Sequence, residues 1–82
     1  MNEQQITEAF AKEMYAKIEK RHGRYQPFAW KDMDIKRLLM LLKAEIVELE
    51  EGLLIKDIAN IREEAVDIAN YACFIYEMTK GQ

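Results

Sequence analysis

The sequence predicts an all-α fold: an antiparallel helical hairpin preceded by an N-terminal helix, completed as a helical bundle by oligomerisation. Three observations carry this expectation. Apolar residues recur every three or four positions in three separate segments, the spacing of one helical face. No segment alternates with period two, so no strand is expected. The few glycines and the one proline fall where helices should stop.

The first helix is expected from about Glu3 to Arg21, where Ile6, Phe10, Met14 and Ile18 share a face. His22-Gly23 should end it, since glycine is favoured just past a helix. From Arg24 to Lys31 the chain contains Pro27 and reads as a loop rich in aromatics, Tyr25, Phe28 and Trp30. The second helix is expected from about Asp34 to Glu51, with Asp32 or Asp34 as N-cap. Ile35, Leu38, Leu39, Leu42, Ile46 and Leu49 form its stripe, and Gly52 should close it. Met40 and Val47 lie on its opposite side and mark a candidate subunit interface. A third helix is expected from about Asp57, its cap, to Thr79. Ile58, Ile61, Ala65, Ile68, Ala72 and Ile75 form its stripe, and the small Ala65, Ala69, Ala72 and Cys73 would admit a neighbouring helix closely. The short link from Gly52 to Lys56 makes the last two helices antiparallel neighbours.

At 82 residues the chain forms one domain, residues 1–82. A domain this short buries only ~60% of the surface its unfolded chain exposes. Half its residues are hydrophobic, more than so small a body hides, so a second copy should cover the rest and a homodimer or homotetramer is expected. The net charge of −3 argues against nucleic-acid binding, which needs cations to replace the phosphate counterions. The single cysteine, Cys73, cannot form an internal disulfide; it reads as a small core residue and fits a reducing cytoplasm. No apolar run approaches the ~20 residues of a membrane span, and Met-Asn-Glu-Gln-Gln does not read as a signal peptide, so no membrane partner is expected.

Four carboxylates stand out. Glu45 and Glu48 are three apart on the second helix, Glu64 and Asp67 three apart on the third, and each pair flanks its apolar stripe. Folding the hairpin at residues 52–57 brings Glu48 level with Glu64, and Glu45 level with Asp67. Four carboxylates converging at a half-buried place repel one another unless a cation compensates them. Oxygen-only ligands suit Mg²⁺, Mn²⁺ or Ca²⁺ rather than Zn²⁺, and Mg²⁺ commonly binds carboxylates together with substrate phosphates. The only histidine, His22, lies outside both helices, which argues against a di-iron bundle. The competing reading is that glutamates three apart are solvated surface, as expected for Glu50, Glu51 and Glu63.

Asn60 and Tyr71 share the face of Glu64 and Asp67; Tyr71 could stack on a nucleoside or serve as a core aromatic. Asn70 could hydrogen-bond a sugar or base, or be an exposed helix polar. Trp30 is either a core plug or a base platform. Lys31, Arg37, Lys43 and Lys56 are candidate phosphate partners, each otherwise surface, and His22 reads as a helix-end residue.

Lys-Ala-Glu45-Ile-Val-Glu48-Leu-Glu-Glu followed by Arg-Glu-Glu64-Ala-Val-Asp67-Ile-Ala-Asn70-Tyr71 resembles the MazG-like all-α nucleoside-triphosphate pyrophosphatases, whose relatives include dimeric dUTPases, dCTP pyrophosphatases and phosphoribosyl-ATP pyrophosphatases. The resemblance covers roughly residues 10–78. It implies Mg²⁺, with Mn²⁺ as a substitute, held by Glu45, Glu48, Glu64 and Asp67. It implies hydrolysis of a nucleoside triphosphate between the α and β phosphates, in a dimer or tetramer with sites near subunit interfaces. It also implies nucleotide contacts from Trp30 and Tyr71. A histidine of the first helix contributes in some relatives, but His22 lies too late in its helix to take that role. Against that family, a substantial C-terminal fourth helix is not expected within these 82 residues. Glu45 or Glu48 is the expected general base. The expected role is nucleotide-pool housekeeping. The alternative is a non-enzymatic helical dimer acting as a regulatory or protein-interaction module.

Overall fold

A computed structural model describes residues 1–21 and 29–81. The expected helix stop at His22-Gly23, and Tyr25, Pro27 and Phe28 of the aromatic loop, lie outside the described residues. Three helices appear: α1 (Glu3–Arg21), α2 (Ile35–Ile55) and α3 (Ile58–Met78), with a 3₁₀ turn at Ala29–Asp32 before α2. The described residues contain no strand, and no helix among them is long and apolar enough to cross a membrane.

Both hairpin helices begin at the expected aspartates. Asp34 Oδ1 accepts from the Lys36 N–H at 3.1 Å, and Asp57 Oδ1 from the Asn60 N–H at 3.2 Å. Each satisfies a donor that the first helical turn leaves unpaired.

The end of α2 differs from the expectation. Gly52 does not close the helix, which runs another turn to Ile55. Lys56 takes the left-handed cap instead, with φ 57°, and the Asp57 N–H returns to the Gly52 carbonyl at 3.0 Å. Gly52 is there for closeness. It is buried, and a Cβ on it would stand 3.1 Å from Asn60 Nδ2 and 3.3 Å from Ile61 Cγ1. Its missing side chain lets α3 start close against α2.

α3 is the central element: α2 lies along it, α1 crosses it, and the 3₁₀ turn covers its C-terminal half. α1 engages only from Met14 onward, through the half-buried Met14, Lys17, Ile18 and Arg21. The expected α1 stripe therefore packs in part: Ile6 is exposed, and Phe10 lines a cavity with Ala59 and Arg62 of α3 without being buried. Three expectations for α3 also change: Ile58, the first residue of its expected stripe, is exposed. Ala72 and Cys73 are exposed as well, since both fall outside the arc that faces α1 and α2.

The most buried line of α3 is largely polar: Glu64, Asp67, Asn70 and then Phe74. Leu38, fully enclosed, and Phe74 are the buried large apolar side chains among the described residues. Trp30 stacks on Phe74, ring centroids 4.6 Å apart and planes within 6°, which docks the 3₁₀ turn onto α3.

Candidate functional site

Helical spacing brings three of the four expected carboxylates together between α2 and α3. Glu45, Glu48 and Glu64 each offer an oxygen within 4.8 Å of the other two. Two ligands on opposite sides of one cation lie ~4.2 Å apart for Mg²⁺ and ~4.8 Å for Ca²⁺, from the usual metal–oxygen distances. Glu64 is 7% exposed, and its Oε2 and that of Glu45 are buried with no hydrogen-bond partner. Buried, unpaired carboxylate oxygens are costly unless something positive meets them. An oxygen-only donor set of this kind fits a hard divalent cation.

The electrostatics follow from crowding. Burial, a hydrogen bond with Glu64 and the negative charges of Asp67, Glu64 and Glu48 push the Glu45 carboxyl up to about 8. Glu64 is pulled down by its hydrogen bond with Glu45. Burial, its contact with Glu48 and the charges of Glu48 and Asp67 outweigh that pull, so its net shift is upward. A proton held between the two thus compensates a site that a cation would compensate more fully.

Glu64 stands near Glu48, as expected, and reaches Glu45 as well. Asp67, one helical turn further along α3, turns to α1. Its Oδ1 meets Lys17 Nζ at 2.9 Å and Arg21 Nη2 at 3.2 Å. Lys17 Nζ also donates to the Glu63 carbonyl at 3.2 Å. Asp67 remains close enough to raise both Glu45 and Glu64.

Lys17 and Arg21 were not among the residues singled out in the sequence. The available signal was their place beside Met14 and Ile18 on the packed face of α1, which a search for apolar periodicity passes over.

The expected substrate residues divide. Tyr71 is half-buried, edge-on to Phe74 at 6.3 Å between centroids, with the Arg21 guanidinium 5.8 Å from its ring. It therefore sits beside Asp67 at the α1 side of the site. Trp30 is half-buried and spends one ring face on Phe74. Asn70 is a correction to the exposed helix polar: it is 2% exposed and donates its amide to the Met14 carbonyl at 3.2 Å, clamping α1, while its Oδ1 has no partner. Lys43 is not brought to the site. It is exposed, and two residues of helix turn it about 160° from Glu45, onto the outer face of α2. Lys56 lies at the hairpin tip as the α2 cap.

No family model matches the sequence. An uncharacterised protein of Archaeoglobus fulgidus is 37% identical over 73 residues, spanning 87% of this chain and 78% of its own length. The crystal structure of a predicted coding region from Archaeoglobus fulgidus DSM 4304 superimposes with a TM-score of 0.88 at 33% identity, over the whole of both chains. With that identity maintained over most of both sequences, the chain belongs to the family of this Archaeoglobus fulgidus protein.

Proposed function

We propose that the chain is a Mg²⁺-dependent nucleoside-triphosphate pyrophosphohydrolase, splitting its substrate into the nucleoside monophosphate and pyrophosphate. The observation that carries this reading is the triad Glu45, Glu48 and Glu64, its oxygens within 4.8 Å of one another and two of them buried without a partner. Mn²⁺ should substitute, because the donors are all oxygens.

Glu45, Glu48 and Glu64 would hold the metal, which when bound supplies charge neutralisation to the phosphates. Displacement at phosphorus needs an oriented water and little covalent help from the protein. Glu45 or Glu48 would take the proton from that water. Asp67 holds Lys17 and Arg21 at the edge of the site, where their charges favour an anionic substrate. Tyr71 and Trp30 offer aromatic surface to a base.

The test is pyrophosphate release from a panel of NTPs and dNTPs with Mg²⁺, Mn²⁺ or EDTA. Metal-dependent release from at least one nucleotide, lost in Glu64→Gln, is expected. No release from any nucleotide, together with a Tm indifferent to Mg²⁺ and nucleotide, would overturn the reading in favour of a helical interaction module.

A further inference from the structure

The chain exposes 6621 Å². A compact monomer of 9.7 kDa exposes about 5,100 Å² by the usual scaling of area with mass. The surplus of about 1,500 Å² exceeds the ~800 Å² that each partner loses in a standard stable interface. Exposed large apolar residues are concentrated on α2, where Met40 is 65%, Val47 54%, Leu53 57% and Leu54 82% exposed.

These residues are ordered. Leu39, Ile46 and Leu53 form one row seven residues apart; Met40, Val47 and Leu54 form a second beside it. Seven residues are close to two helical turns, so each row runs along α2: the Met40, Val47 and Leu54 row opposite Glu45 and the buried Leu38, and the Leu39, Ile46 and Leu53 row beside it. Between the rows stand two exposed charges, Lys43 and Glu50. The pattern reads alike in both directions from the point between Ile46 and Val47. Stepping outward, Lys43 answers Glu50, Met40 answers Leu53, and Leu39 answers Leu54. Under a two-fold axis through that point, every apolar side chain meets an apolar one and each cation meets an anion. A parallel pairing in register would set Lys43 against Lys43 and Glu50 against Glu50.

We infer that the outer face of α2 is a two-fold interface with a second copy of this chain, the two α2 helices lying antiparallel with Lys43 beside the partner's Glu50. Self-complementarity is what a two-fold contact requires and what a contact with an unrelated protein does not. From Leu39 to Leu54 the seam runs ~22 Å, at 1.5 Å per residue. The assignment is independent of the proposed reaction, since the carboxylates lie on the other face of the same helix.

Sedimentation of the full chain tests it. The wild type is expected to be a dimer at micromolar concentration, or a tetramer containing this pair. Lys43→Glu and Glu50→Lys each create two like-charge contacts across the axis, and each should raise the dissociation constant at least ~10-fold. The double variant exchanges the charges and should return to within ~3-fold of wild type, a recovery only this register gives. Should the single variants unfold on dissociating, the concentration dependence of Tm gives the same ranking. A monomeric wild type, single variants indistinguishable from it, or a double variant no better than the singles would each overturn the inference.

Discussion

Facing α3, helix α2 carries Glu45 and Glu48 against the buried Glu64, around a space where carboxylate oxygens lack partners. Facing away, the same helix shows Leu39, Met40, Ile46, Val47, Leu53 and Leu54 to the surroundings. An isolated 82-residue domain minimising its free energy would put those faces the other way round. The reversal teaches that each face is incomplete by itself: the inner one lacks positive charge, and the outer one lacks apolar cover.

Changing the inner face should have the largest effect. Glu48→Gln and Glu64→Gln each remove a ligand oxygen's charge, and metal-dependent pyrophosphate release should fall ~10²–10³-fold, with the helical circular dichroism retained. Asp67→Asn should also abolish turnover. It should in addition loosen α1, since Lys17 and Arg21 lose their partner, at a cost of about 1–2 kcal/mol in urea unfolding. Activity that survives Glu64→Gln would detach the acidic cluster from catalysis.

Disturbing the outer face comes next. Val47→Asp places a charge beside the proposed two-fold axis twice per dimer, and should raise the dissociation constant by ~100-fold or more without altering the residues around Glu64. If sedimentation is unchanged, the apolar face serves some other purpose.

The pH dependence reports on the inner face alone. Glu45 keeps its proton in the folded state to about pH 8, whereas the unfolded chain releases it near 4.5. The folded state therefore binds the extra proton between those values. The resulting stability is fully present below pH 4.5 and is lost as pH rises through about 8. Without divalent metal, Tm should fall by on the order of 5 °C between pH 5.5 and 8.5, corresponding to ~1 kcal/mol in a domain of this size once solvent screening is allowed for. Saturating Mg²⁺ should flatten or reverse the slope, because the cation competes with the proton. Glu45→Gln should remove most of it.

The smallest change lies where neither face is involved. Lys56 holds a left-handed conformation that costs a side-chain-bearing residue about 1 kcal/mol, so Lys56→Gly should stabilise the hairpin by ~0.5–1 kcal/mol in chemical denaturation.

Much of this architecture was legible in advance. The helical segments follow from apolar spacing, and Asp34 and Asp57 announce two helix starts because a short acidic side chain is the natural partner of unpaired N–H groups. The end of α2 departs from the expectation because glycine signals both a stop and a close approach, and only the position of Ile61 separates the two. Asn70 and Cys73 exchanged places for a similar reason. A polar side chain near the packed arc of α3 was buried by the arrival of α1, while a small apolar one outside that arc was left exposed.

By itself, the sequence determined the all-α class, the three helical segments, the hairpin and the nearness of the acidic pairs, because these depend on contacts a few residues apart and on one short turn. The tertiary structure alone decided that Glu64 sits between Glu45 and Glu48 while Asp67 turns to Lys17 and Arg21. That partition depends on where α1 crosses α3, forty-six residues away in the chain, and no local periodicity encodes a crossing point between helices so distant in sequence.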